Sequence, residues 1–158
     1  MKFEIITVGT LKEKYLKDAV DEYTKRLKKY ATVSITEIKE SRLPKHEREN
    51  DIDKALLEEA ELIKLKLKDA YVIALTIEGK QFSSETFTKK LNDIFTYHNN
   101  HIIFIIGSSH GIHHTLKQLA NTQISFSKAT FPHQLMRVIL LEQLFRAMRI
   151  KYNESYHK

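Results

Sequence analysis

The spacing of apolar residues along this 158-residue chain changes period several times, and each change marks an element. Lys2–Val8 (KFEIITV) reads as a strand, and Gly9-Thr10 turns it into a helix over residues 11–29. Leu11, Leu16, Val20, Tyr23 and Leu27 give that helix one apolar stripe. Thr32–Ile38 alternates as a second strand should. Residues 40–50 are polar, contain Pro44 and read as a loop. The helix predicted over 51–67 is acidic first and basic last, the order a helix dipole favours. Residues 71–77 (YVIALTI) are an almost unbroken apolar run rich in β-branched residues, as in a strand buried on both faces. Glu78-Gly79-Lys80 predicts a turn. Ser83 or Ser84 caps a helix to Tyr97, with Glu85 in its first turn. A buried strand over 102–106 closes with Gly107-Ser108-Ser109-His110-Gly111, and a short helix over 113–119 leads to a strand over 122–126. Beyond a polar loop, Pro132 opens a long helix over 133–150, its missing N–H falling where no intrahelical partner exists.

Strands alternating with helices imply a mostly parallel sheet with helices on both faces. The chain has no repeat, linker or low-complexity stretch. Residues 1–158 therefore read as one α/β domain, with 151–158 a short C-terminal tail. Ligands of open parallel sheets sit at the carboxyl ends of the strands. Three loops leave such ends, at 75–80, 107–111 and 125–131, and two of the four glycines lie in the second. Taken alone, G-S-S-H-G is weak. It lacks both the G-x-G-x-x-G spacing of dinucleotide folds and the lysine of a P-loop.

The last helix carries an apolar arc of roughly 200°, wider than one packed face needs. Arg137 points from inside that arc, and a guanidinium cannot shed its charge, so if buried it needs an anionic partner. The pattern predicts a helix packed on two sides and forming much of a two-fold homodimer interface. Arg137 would then face a ligand, a carboxylate or a second subunit.

Composition narrows the class. The absence of cysteine excludes disulfides and thiolate metal sites and suits a reducing cytoplasm. The apolar runs are too short to span a bilayer. Residues 1–79 hold 16 Lys/Arg and 16 Asp/Glu, and residues 80–158 hold 10 and 4, so the whole +6 lies in the second half. A one-sided basic surface fits a polyanion such as RNA, and fits ordinary solubility equally. His110, His113 and His114 invite a metal reading. No carboxylate is near them in sequence, however, and adjacent histidines point apart on a helix, so no metal is expected. His133, at a helix N-terminus, is expected to be neutral and structural. In the tail, Tyr152, Tyr156, His157 and Lys158 cluster with Arg146, Arg149 and Lys151. Aromatics among cations suit stacking on a base while holding its phosphates.

These residues together resemble the ribosomal RNA large subunit methyltransferase H family, a small branch of the SPOUT methyltransferases. The likeness runs the whole length. It is strongest in Val8-Gly9 with Leu11-Lys12, Leu75 to Gly79-Lys80, 104–111, 127–137, Glu142 to Arg146-Ala147, and Tyr156-His157-Lys158. T-F-P-H-Q-x-x-R-V combined with the terminal Y-H-K is the specific signature. The resemblance implies a SPOUT-type α/β knot (a C-terminal trefoil knot) and a homodimer. It implies S-adenosyl-L-methionine as methyl donor, no metal, and methylation of N3 of a pseudouridine in 23S ribosomal RNA, free or in the assembled ribosome. It also implies cofactor contacts at Leu75, Gly107, Phe126, Ser127, Lys128, Ala129, Thr130 and Phe131, all in or beside the three strand-end loops. Two positions depart from the family: Ser108 replaces a second glycine, and Asn153 replaces a glycine of the tail. Asparagine is among the residues that best tolerate left-handed geometry.

Within that reading three residues are expected to carry the chemistry. His157 assists loss of the N3 proton, since an imidazole titrates near neutral pH. Arg137 stabilises charge on the deprotonated base or holds phosphate. Tyr156 positions the base. The rival is a nucleic-acid-binding module without catalysis, which a basic surface and aromatic tail would serve equally well. Binding of S-adenosylmethionine separates the two.

Overall fold

In a computed structural model describing residues 1–156, five strands build one sheet: β1 (Lys2–Val8), β2 (Thr32–Ile38), β3 (Tyr71–Gln81), β4 (His101–Ile106) and β5 (Thr122–Ser125). Their order is β2-β1-β4-β3-β5, every pair parallel. The connecting helices are α1 (Lys14–Leu27), α2 (Glu49–Lys64), α3 (Ser84–Tyr97), α4 (His114–Leu119) and α5 (His133–Lys151). Period-two alternation assigns the faces. Phe3, Ile5, Ile73, Ile102, Phe104 and Ile106 pack against α1, α3 and α5. Ile6, Val8, Val72, Ala74, Ile103 and Ile105 pack against α2 and α4. Strands buried on both faces explain the unbroken apolar runs at 72–74 and 102–106.

The expected turn at Glu78-Gly79-Lys80 is not one. β3 runs on to Gln81, and its pairing to β5 breaks between Leu75 and Lys80, both of which register with Ile124. Residues 76–79 thus loop out of the ladder as a wide irregularity. Gly79 makes this possible: a Cβ there would stand 2.5 Å from the Ile124 carbonyl carbon. Helix starts also shift. α1 begins at Lys14, and α2 begins at Glu49, where the Asp51 carboxylate accepts from the Arg48 N–H at 3.0 Å. Ser83 is the cap of α3, its hydroxyl accepting from the Thr86 N–H. Pro132 is the residue just before α5 rather than inside its first turn.

The wide apolar arc of α5 has an explanation within one chain. Leu140, Leu141, Leu144 and Met148 are wholly buried, with α1 on one side, α3 on the other and the sheet beneath. A second subunit is not needed to cover them, so the arc is no evidence for a dimer. Among the described residues no helix is long and apolar enough to cross a membrane.

Candidate active site

Beyond the carboxyl ends of β3, β4 and β5 lies a cavity of about 690 Å³, within the size range of small-molecule sites. The three strand-end loops meet there. Leu75, Gly107, Phe126, Ser127, Ala129, Thr130 and Phe131 line it, whereas Lys128 does not and is exposed. Its deeper wall is apolar, from Ile106, Ile112 and Ile124. Hydroxyls and backbone groups of the loops supply the polar part.

Local bonds fix two of those loops. The Ser125 hydroxyl donates to the Ser127 carbonyl at 2.7 Å, and the Ala129 N–H donates to Ser127 Oγ at 2.9 Å. In the second loop, the Gly111 N–H donates to the Ser108 carbonyl at 2.9 Å. The chain folds back so tightly that a Cβ on Gly107 would stand 2.1 Å from the Gly111 carbonyl oxygen. Gly111 has a φ of +92°, the left-handed region that favours glycine.

The rim adds residues that periodicity did not single out. Lys117 pairs with Glu78 across the mouth and holds that carboxyl below its usual range. Met136 and His133 line the cavity from the first turn of α5. Burial lowers the His133 pKa, Glu40 opposes this, and Arg137 adds to it. Both burial and Arg137 favour the neutral imidazole, which stands in the cavity wall rather than merely in the core. The signal was available: His133 lies just past the 125–131 loop, with only Pro132 between.

Arg137 is wholly buried, and its anionic partner is a carboxylate. Nη1 donates to Glu37 at 2.6 Å, and Nη2 donates to the Gly9 carbonyl at 2.6 Å and more weakly to that of Val8 at 3.4 Å. Nε has no partner among the described residues. The guanidinium thus ties the first turn of α5 to the ends of β1 and β2. It does not line the cavity.

Tyr156 does not line the cavity either. Its ring meets Phe145 edge-on at 5.0 Å under the Arg146 guanidinium, and its hydroxyl donates to Glu142 at 3.4 Å. Burial raises its pKa, with Tyr23 adding to the effect. Just before it, Glu154 bonds Lys29, Tyr30 and Arg149, and Asn153 adopts a φ of 53°, the geometry anticipated for it. Nine residues of α5 separate Phe145 from Met136, about 14 Å of helix axis at 1.5 Å per residue. Within one chain the cavity and the tail residue Tyr156 therefore sit toward opposite ends of α5. His157, the expected proton acceptor, lies outside the described residues.

The histidine cluster corrects a premise. The His113 and His114 rings lie 4.2 Å apart, and Asp53 from α2 joins them. Sequence distance had hidden the carboxylate. His113 Nδ1 accepts the Thr115 N–H at 3.3 Å, capping α4, and its Nε2 faces Asp53 at 3.3 Å.

A parallel sheet with its cavity at the strand ends is shared by many α/β enzymes, and the sequence comparison narrows it to the SPOUT class of methyltransferases. Residues 1–157 match the family model described as "Predicted SPOUT methyltransferase". The tRNA (m1G37) methyltransferase from Aquifex aeolicus shares the fold, with a TM-score of 0.55 at 12% identity over 92% of this chain and 70% of that one. Within the class, this chain is 49% identical to the ribosomal RNA large subunit methyltransferase H of Natranaerobius thermophilus over 99% of both proteins. It is 47% identical to that of Bacillus pumilus over the full length of each. The chain belongs to this ribosomal RNA large subunit methyltransferase H family.

Proposed function

We propose that the protein methylates N3 of a pseudouridine in large-subunit (23S) ribosomal RNA, in the cytoplasm, with S-adenosylmethionine held in the strand-end cavity. The observation that carries this reading is the convergence on one cavity of seven of the eight residues assigned to the cofactor. The fit is chemical as well as geometric. Leu75, Ile106 and Phe126 offer apolar surface to an adenosine, Ser127 and Thr130 offer hydroxyls, and the ionised Glu78 tolerates a cationic sulfonium nearby. Bound there, the cofactor supplies an already electrophilic methyl group, so orientation does most of the work. His157 would take the proton that N3 of the base must lose for the methyl group to be accepted there. Tyr156 positions the base. Arg137 acts at one remove: it fixes the turn of α5 that presents His133 and Met136 to the cavity.

The separation of Tyr156 from the cavity along α5 favours a homodimer in which the tail of one copy completes the site of the other. Ribosomes from a strain lacking the enzyme should gain one methyl group when incubated with protein and cofactor, placed at a pseudouridine N3 by mass spectrometry. Methylation elsewhere would overturn the specificity, and protein that binds RNA without binding cofactor would favour the non-catalytic reading.

A further inference from the structure

The loop that leaves β4 runs from the cavity straight into a group of ligating side chains. Ile112 lines the cavity, and the next two residues are His113 and His114. Asp53 of α2 joins them, and one ligand atom from each of the three lies within 4.8 Å of the others. None of the three lines the cavity. Two imidazoles and a carboxylate suit zinc or a similar divalent transition metal. They do not suit magnesium or calcium, which take oxygen ligands.

The spacing is close to what such an ion needs. Bonds of about 2.0–2.2 Å to a tetrahedral centre put neighbouring ligand atoms about 3.3–3.5 Å apart. His113 Nε2 and Asp53 Oδ1 already stand 3.3 Å apart. The His114 ring lies against that of His113 with centroids 4.2 Å apart. His114 and Asp53 are both exposed, so either can turn the short remaining distance without disturbing the core. His113 is the fixed member, its side chain 4% exposed. A ligating imidazole carries its proton on the other nitrogen and needs a partner for it. Thr115 provides one, since its Oγ1 lies 2.9 Å from His113 Nδ1. With Nδ1–H donating to that hydroxyl, Nε2 presents a bare lone pair beside Asp53. Only the longer contact is given up, the 3.3 Å bond from the Thr115 N–H.

We propose that Asp53, His113 and His114 form a binding site for zinc or a like divalent transition metal, with water as the fourth ligand. The ion takes the place of the proton between His113 Nε2 and Asp53 Oδ1. It ties α2 to the segment that follows the second cavity loop, across a junction that side chains alone hold by one solvent-screened ion pair. The site lies apart from the cavity, and it stands or falls independently of the cofactor held there.

The test is calorimetric titration of zinc chloride into the full, untagged chain after removal of metal with a chelator. Asp53→Ala, His114→Ala and His110→Ala are titrated alongside. His113 is left intact because it also caps α4. His110 is the control, a histidine paired with a carboxylate, Glu47, that belongs to no such cluster. Wild type should take up one zinc per chain with a Kd tighter than about 10 μM. Asp53→Ala and His114→Ala should each weaken binding at least about tenfold, and His110→Ala should stay within about threefold of wild type. Zinc at about a hundredfold excess over Kd should raise the wild-type melting temperature by about 5–10 °C, reversibly on adding EDTA. Both substituted positions are exposed, so these variants keep the fold, and their metal-free melting curves check it. Magnesium chloride should give no comparable heat. Zinc binding weaker than about 10 μM, a loss under about tenfold in either cluster variant, an equal loss in His110→Ala, or equal binding of magnesium would each overturn the proposal.

Discussion

Replacing Arg137 by alanine decides whether this arginine serves the substrate or the fold. The buried guanidinium makes two short bonds, to Gly9 and to Glu37. The bond to the buried Gly9 carbonyl is charge-assisted and contributes about 1.5–3 kcal/mol. The Glu37 arm contributes less, about 0–1 kcal/mol, because that carboxylate is 38% exposed and rehydrates when released. The two buried methylenes that alanine lacks, Cγ and Cδ, add about 1.6 kcal/mol. The variant should therefore lose about 3–6 kcal/mol in urea denaturation, and its melting temperature should fall by about 10–20 °C. Arg137→Lys should recover little, since one ammonium cannot span both partners in the guanidinium geometry. Glu37→Ala should cost far less than Arg137→Ala. Activity measured well below the melting point, on protein shown to be folded, should decline chiefly through weaker cofactor binding as α5's first turn loosens. An Arg137→Ala variant with a stability loss under about 1 kcal/mol and a collapsed kcat would refute this reasoning. It would restore the arginine to the substrate.

Three other outcomes follow from the site. Gly107→Ala places a methyl 2.1 Å from the Gly111 oxygen, so the loop must shift; calorimetry should show cofactor affinity falling by at least about 100-fold with the fold kept, and unchanged affinity would mean the loop is not part of the site. Removing Tyr156-His157-Lys158 should abolish methyl transfer while S-adenosylmethionine binds nearly as before; parallel loss of both would place the tail in the cofactor pocket. His133 has a folded pKa below its usual value of about 6.5. Its unfolded form takes up a proton first as pH falls, so its contribution is complete above that value and is lost as pH drops through the lower folded one. The urea midpoint should decline across that window and decline less in His133→Asn, and an equally steep variant would rule His133 out.

What could be read from the chain was whatever local spacing encodes. The strands and helices were legible because each buried face repeats at period two or at 3.6, and the three loops followed from where strands end. Contacts across long sequence distances were not legible. Gly79 reads as a turn glycine until Ile124 is laid against it, and Asp53 is remote from His113 until α2 packs beside α4. The apolar width of α5 could be counted, but periodicity does not say which chain covers it, and the answer was α1, α3 and the sheet. Arg137 was correctly read as needing an anion. That the anion is Glu37, a hundred residues earlier, depends on tertiary packing. The cofactor residues in the loops came from resemblance, since T-F-P-H-Q has no periodic signature.

The strand order has a consequence for how the molecule comes into being. β1 is made first and lies near the middle of the sheet, yet one of its two flanks belongs to β4, with Phe3 opposite Ile102 and Ile5 opposite Phe104. Until residues 101–106 emerge, a nascent chain carries a largely apolar strand with one open edge, the situation that invites mispairing. Helices can form early, but the centre of the sheet must wait for a partner about a hundred positions away. Such high contact order makes refolding slow for a protein of this size, on the millisecond-to-second scale rather than the microsecond scale of helical bundles. A fragment that stops before β4 has no closed core at all, so this fold is assembled late and as a whole.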